Sequence, residues 1–115
     1  ITDAMRAKGL PDGEYDLGGQ TVYKVGKECR IETGSLAGSV AEMDFVARNV
    51  KEFTGCTMEE LILMTSTNSA KQLGVFDRKG SLNIGKDADV IILDKDLMVK
   101  TTICRGVVAY EDKAI

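Results

Sequence analysis

Polar and apolar residues alternate in short, glycine-bounded runs along the first third of the chain, and that pattern predicts strands. Gln20-Thr21-Val22-Tyr23-Lys24-Val25 is rich in β-branched and aromatic residues and reads as a strand. A shorter one over residues 14–17 precedes it, closed by Gly18-Gly19, and Glu28-Cys29-Arg30-Ile31-Glu32 returns after Gly26-Lys27. Together they form a small, half-exposed β excursion. Ahead of it, residues 6–13 read as a loop ending in the turn Pro11-Asp12-Gly13.

The period then changes. Val40, Met43, Val46, Ala47, Val50 and Phe53 fall on one helical stripe, with Glu42, Arg48, Lys51 and Glu52 opposite. This predicts a helix over residues 40–53, with Ser39 at its N-cap and Gly55 beyond its end. Thr57-Met58-Glu59-Glu60 has the spacing of a capping box, which starts a second helix through Leu61, Ile62 and Met64. A break at Ser66-Thr67-Asn68 leads to a third short helix over 69–73, with Gly74 at the C′ position.

Residues 80–89 form a glycine-punctuated corner. The unbroken apolar run Val90-Ile91-Ile92-Leu93 predicts a fully buried strand. Asp94-Lys95-Asp96 turns the chain into a strand over 99–104, and Arg105-Gly106 suits a two-residue hairpin turn into Val107-Val108-Ala109-Tyr110. The class is α/β, and the first and last parts need not share a core.

Composition narrows the function. A net charge of −3 without any block of like charges argues against nucleic acid or an anionic membrane as partner. No apolar run approaches the ~20 residues that cross a bilayer. Cys29, Cys56 and Cys104 show no metal or disulfide spacing, which suits free thiols in a reducing cytoplasm. The absence of histidine removes imidazole acid–base chemistry, Ser-His-Asp and Cys-His catalysis, and His-based metal sites at once. Any metal ligands must then lie mostly outside these residues. Because Ile1 stands in the middle of a strand-like stretch, the chain is expected to be a piece of a longer protein.

Two stretches carry candidate chemistry. Ile1-Thr2-Asp3-Ala4-Met5 has the look of a buried parallel strand whose last residue, Asp3, faces a mouth, as catalytic carboxylates do in (β/α)₈ barrels. On these five residues alone, ordinary N-cap chemistry, with Asp3 capping a turn or helix, is the favoured reading. Gly34-Ser35-Leu36-Ala37-Gly38-Ser39 is a small-residue loop whose flanking glycines let the backbone approach a ligand closely, or simply connect.

The run Gly80-x-Leu82-x-x-Gly85-Lys86-Asp87-Ala88-Asp89, then an apolar strand and Asp94, resembles the C-terminal signature of the amidohydrolase superfamily. Asn68-Ser69-Ala70-Lys71-x-Leu73-Gly74 precedes it at the expected distance, with Ser69 where the family usually has proline. Thr2-Asp3-Ala4-Met5, Pro11-Asp12-Gly13-x-Tyr15-x-Leu17-Gly18-Gly19 and residues 34–39 resemble the branch that deacetylates amino-sugar phosphates. The resemblance implies the C-terminal fragment of a metal-dependent (β/α)₈ TIM-barrel enzyme. Residues 1–79 would be the last strand, insertion and final helices of the barrel, and residues 80–115 the C-terminal strands of a small β-sandwich domain.

It further implies hydrolysis of N-acetylglucosamine 6-phosphate to glucosamine 6-phosphate and acetate. Asp3 would act as general base and then acid on a metal-activated water, and Ser35, Leu36, Ala37 and Gly38 would contact the sugar. The divalent ion, zinc or similar, would be held mainly by residues outside this chain, and the fragment alone would be inactive. Exposed strand edges point to a homo-oligomer. The alternatives are an N-acetylgalactosamine-6-phosphate counterpart and, from another class, a non-catalytic α/β binding module.

Overall fold

The computed structural model describes residues 1–113. They fall into two compact units, Ile1–Val46 and Ala47–Ile115.

In the first unit, β1 (Gly13–Leu17), β2 (Gln20–Val25) and β3 (Glu28–Ile31) form an antiparallel meander in chain order. Val22 of β2 lies opposite Tyr15 on one side and Ile31 on the other. Val22 and Lys24 turn inward and their neighbours outward, as the period of two requires. The core is small: Ala7, Val22, Cys29 and Val40 are buried, with Met5, Tyr15, Leu17, Ile31 and Ala37 packed against them. Ala7 and Val40 come from segments flanking the sheet, so the loop after Asp3 is part of this core.

Residues 1–3 form no strand, contrary to the sequence expectation, and Ile1 is fully exposed. A buried parallel strand completes its hydrogen bonds through neighbours on both sides. Among the described residues this segment has one pairing, an isolated parallel bridge between Ala4 and Ser39.

Helix α1 spans Met43–Thr54 and contains the boundary between the units. Its start lies three residues later than the apolar stripe predicts, because Val40 is buried in the sheet core. Ser39 does not cap it; its hydroxyl accepts the Ala41 N–H at 3.1 Å in a local turn.

In the second unit, α2 (Met58–Ile62) opens with the expected capping box. Glu60 N–H donates to Thr57 Oγ1 at 3.2 Å and Thr57 N–H to Glu60 Oε2 at 2.8 Å. The expected break at residues 66–68 is absent. A π-helical turn, Leu63–Thr67, continues directly into α3 (Asn68–Gln72), with Asn68 N–H reaching back to Leu63 O. Thr67 explains the continuity: it is buried and its hydroxyl donates to Gly80 O at 2.8 Å, a contact from outside the helix. The helix ends in a Schellman motif, Val75 N–H to Ala70 O at 2.9 Å and Gly74 N–H to Lys71 O at 3.1 Å.

The corner over residues 78–89 is ionic. Asp87 pairs with Arg78 at 2.9 Å and Lys79 at 3.0 Å, and Lys79 also pairs with Asp89. Lys86 lies 3.6 Å from the centre of the Phe76 ring and donates to the Phe76 carbonyl. The division expected between residues 79 and 80 thus falls within the second unit, bridged by these pairs.

Then β4 (Val90–Leu93), β5 (Val99–Cys104) and β6 (Val107–Glu111) form a second antiparallel meander in chain order. Arg105 N–H donates to Asp89 Oδ1 at 2.9 Å, which ties its turn to the corner. β4 is not the fully buried strand that its composition predicts: Ile91 is 58% and Ile92 50% exposed. Among the described residues it is an edge strand, paired only with β5. Among the described residues, no helix is long and apolar enough to cross a membrane.

Candidate functional site

Asp3 is exposed, and its backbone has φ +48°, in the left-handed region. Aspartate tolerates that region better than most residues, but it is still an uncommon conformation of the kind that collects at functional positions. The carboxylate has no hydrogen bond or ion pair among the described residues. It caps no helix either, since residues 6–9 form turns, with Lys8 N–H bonded to Met5 O at 3.1 Å and Leu10 N–H to Ala7 O at 3.1 Å. The capping alternative for Asp3 is therefore not what the chain does.

The 35–38 loop folds back on β3. Ile31 N–H donates to Ser35 O at 3.0 Å and Ala37 N–H to Cys29 O at 2.8 Å, bracketing a bridge between Arg30 and Leu36. Arg30 Nη1 donates to Gly34 O at 2.6 Å, holding the loop's entrance. The backbone thus positions Ser35 and Leu36 outward, with Leu36 68% exposed, while Ala37 packs on the core. The Ala4–Ser39 bridge brings the residue after Asp3 beside the residue after Gly38. The two stretches singled out in the sequence are thereby joined.

A third group braces them. Asp12 Oδ1 accepts from Lys24 Nζ at 3.0 Å and from Gly26 N–H at 2.9 Å, and Tyr15 Oη donates to Pro11 O at 2.7 Å. The Lys24 hydrogen bond, then the Gly26 amide, hold the Asp12 carboxyl below the ordinary aspartate range. The sequence marks Asp12 as a turn residue and as part of a family motif, with no role of its own. It assigns no role to Met5 or to Cys29, whose sulfurs lie 3.4 Å apart. The inward position of Cys29 in an alternating strand was the available signal.

No group of three or more His, Cys, Asp or Glu side chains able to hold a metal ion occurs among the described residues. The residues present do not make a metal centre by themselves.

A family model described as "Amidohydrolase family" matches residues 24–109. The chain belongs to the amidohydrolase family. This amidohydrolase chain is 51% identical over 113 residues to an N-acetylglucosamine-6-phosphate deacetylase of Bacillus subtilis, covering 98% of itself and 28% of that protein. It is 45% identical over 109 residues to an N-acetylgalactosamine-6-phosphate deacetylase of Escherichia coli O157:H7, covering 95% of itself and 29% of that protein. Its fold matches the crystal structure of an N-acetylglucosamine-6-phosphate deacetylase from Thermotoga maritima, with a TM-score of 0.86 and 38% identity. That match covers 97% of this chain and 31% of the other. The amidohydrolase chain thus spans between a quarter and a third of the length of these relatives.

Proposed function

We propose that the chain is the C-terminal part of an enzyme that hydrolyses the acetamide of N-acetylglucosamine 6-phosphate, releasing glucosamine 6-phosphate and acetate. Residues 1–79 belong to its (β/α)₈ barrel and residues 80–115 to its small β domain. The parent is a cytoplasmic homo-oligomer, the compartment being in keeping with three free cysteines. A divalent ion, zinc or similar, is held by residues outside these 115.

One observation supports Asp3 as the acid–base group. Its carboxylate is exposed, without a partner among the described residues, and carried on a left-handed backbone beside the 35–38 loop. An amine leaves an amide poorly unless it is protonated. Asp3 takes a proton from the attacking water as the C–O bond forms, then gives it to the amine nitrogen as the C–N bond breaks. Ser35 and Leu36 meet the sugar with their side chains, Ala37 and Gly38 with the backbone that carries them.

The test is Asp3→Asn in the full-length enzyme, which keeps the shape but cannot carry the proton. Amide hydrolysis should fall by about 10²–10⁴-fold in kcat. Esters with good leaving groups, which need no proton, should lose less. Wild-type amide turnover by this variant would refute the assignment. Assaying both 6-phosphates side by side decides between the glucosamine and galactosamine epimers.

A further inference from the structure

Met5 stands between the two parts of the site. Its N–H donates to Ser39 O at 2.8 Å, immediately after the Ala4–Ser39 bridge. Its side chain lies against Gly38: a Cβ on residue 38 would meet Met5 Cγ at 3.3 Å and Leu17 Cδ2 at 3.4 Å. On another side, the Cys29 thiol donates to Met5 Sδ at 3.4 Å, while Cys29 O accepts the Ala37 N–H at 2.8 Å. These contacts close a ring from the segment carrying Asp3, through Met5 and Cys29, to Ala37 and Gly38, all within Ile1–Val46.

Gly38 does not have a left-handed backbone, so its conformation alone would admit alanine. What opposes a side chain there is Met5 Cγ, which would have to give by a few tenths of an ångström. A thioether chain with three rotatable bonds fills such an irregular gap well, and its contact with a thiol is favourable but soft.

We propose that Met5 is a positioning residue. Wedged between Gly38 and Cys29, it sets the placement of the sugar-contacting loop relative to Asp3. The inference rests on the reading of Asp3 and residues 35–38 given under Proposed function. A methyl added at residue 38 forces its neighbours apart by a few tenths of an ångström. Displacement of reacting groups by 1 Å costs on the order of 10²-fold in rate, so a smaller shift is expected to cost about tenfold.

The test is a double-variant cycle in the full-length enzyme: Gly38→Ala, Met5→Ala, both together, and Met5→Leu. Each alanine variant alone should lose about tenfold in kcat/KM. The double variant should recover to within about threefold of wild type, because the new methyl occupies the space that Met5 Cγ leaves. Met5→Leu, which keeps the volume, should also stay within about threefold. A merely structural role would lower the melting temperature without this reciprocal rescue of kcat/KM. Additive losses in the double variant, or wild-type kcat/KM in Gly38→Ala, overturn the proposal. Asp3→Asn in the same assay separates the two claims. If it keeps amide hydrolysis, the catalytic reading fails; if it is inactive while the cycle is additive, only the positioning role fails.

Discussion

Gly80 lies so close to Ala70 that a Cβ on residue 80 would sit 2.5 Å from the Ala70 Cβ and 3.2 Å from Ser66 O. The backbone at Gly80 also has φ +80°, and Thr67 Oγ1 donates to its carbonyl at 2.8 Å. A side chain there is opposed twice, by the left-handed conformation and by a helix that cannot yield. Gly80→Ala in the full-length protein should cost about 2–4 kcal/mol of stability, the sum of backbone strain and overpacking. Chemical denaturation measures it, and a loss within experimental error would show that the corner moves freely.

The corner next to Gly80 predicts an acid limb. Hydrogen bonds from Lys79 first, then Arg78 for Asp87 and the Arg105 amide for Asp89, hold both carboxyls below the usual aspartate range. Asp94 is lowered as well, chiefly by the Met98 amide. A depressed folded-state value means that the stabilisation is present above the unfolded value of about 3.9 and is lost as pH falls through the folded values. Lys79, raised by Asp89 and Asp87, loses its contribution only as pH climbs above the ordinary lysine range. The melting temperature should therefore be flat from pH 6 to 8 and fall below about pH 4. Asp87→Asn should lower the plateau and flatten the acid limb. An unaltered limb would show that the pairs contribute nothing.

Leu36 and Ala37 are neighbours with opposite surroundings, one exposed and one packed on the Val22–Cys29 core. Leu36→Ala in the full-length enzyme should raise KM for the sugar phosphate and leave the melting temperature within about 2 °C of wild type, as surface changes do. Ala37→Phe should instead lower the melting temperature as well as impair substrate binding, because overpacking a core costs about 1–3 kcal/mol. Thermal scans and steady-state kinetics on the pair distinguish the roles. An unchanged KM for Leu36→Ala removes it from the sugar contact.

The second sheet exposes Ile91, Ile92, Val107, Val108 and Tyr110, each more than half accessible or nearly so, on edge strands β4 and β6. Such edges pair with other chains unless covered. The 115-residue chain on its own should self-associate at micromolar concentrations, and Ile92→Lys with Val108→Lys should weaken this. Light scattering checks it; a clean monomer refutes it.

Local order was largely written in the sequence. Gln20–Val25, Val90–Leu93 and Val99–Cys104 are strands with the bounds their β-branched runs and flanking turns predict. The capping box at Thr57 and the helix stop at Gly74 were equally legible, because their partners lie within a few residues. The family signature over residues 68–94 and the candidate residues Asp3 and 35–38 were readable as patterns of residue type and spacing.

Tertiary structure decided the rest, and each case turns on a contact between segments far apart in the chain. Val40 belongs to the sheet core rather than to α1, because Val22 and Cys29 bury it. Thr67 carries the helix through an expected break because Gly80 holds its hydroxyl. Ile91 and Ile92 point to opposite faces of β4 and stay 58% and 50% exposed, because burial depends on what covers a strand's two faces and not on its own composition. Met5 acquires its place from Gly38 and Cys29, thirty-three and twenty-four positions away in sequence. Propensity and periodicity describe what a segment can do by itself; which of those options it takes is set by neighbours that folding alone brings together.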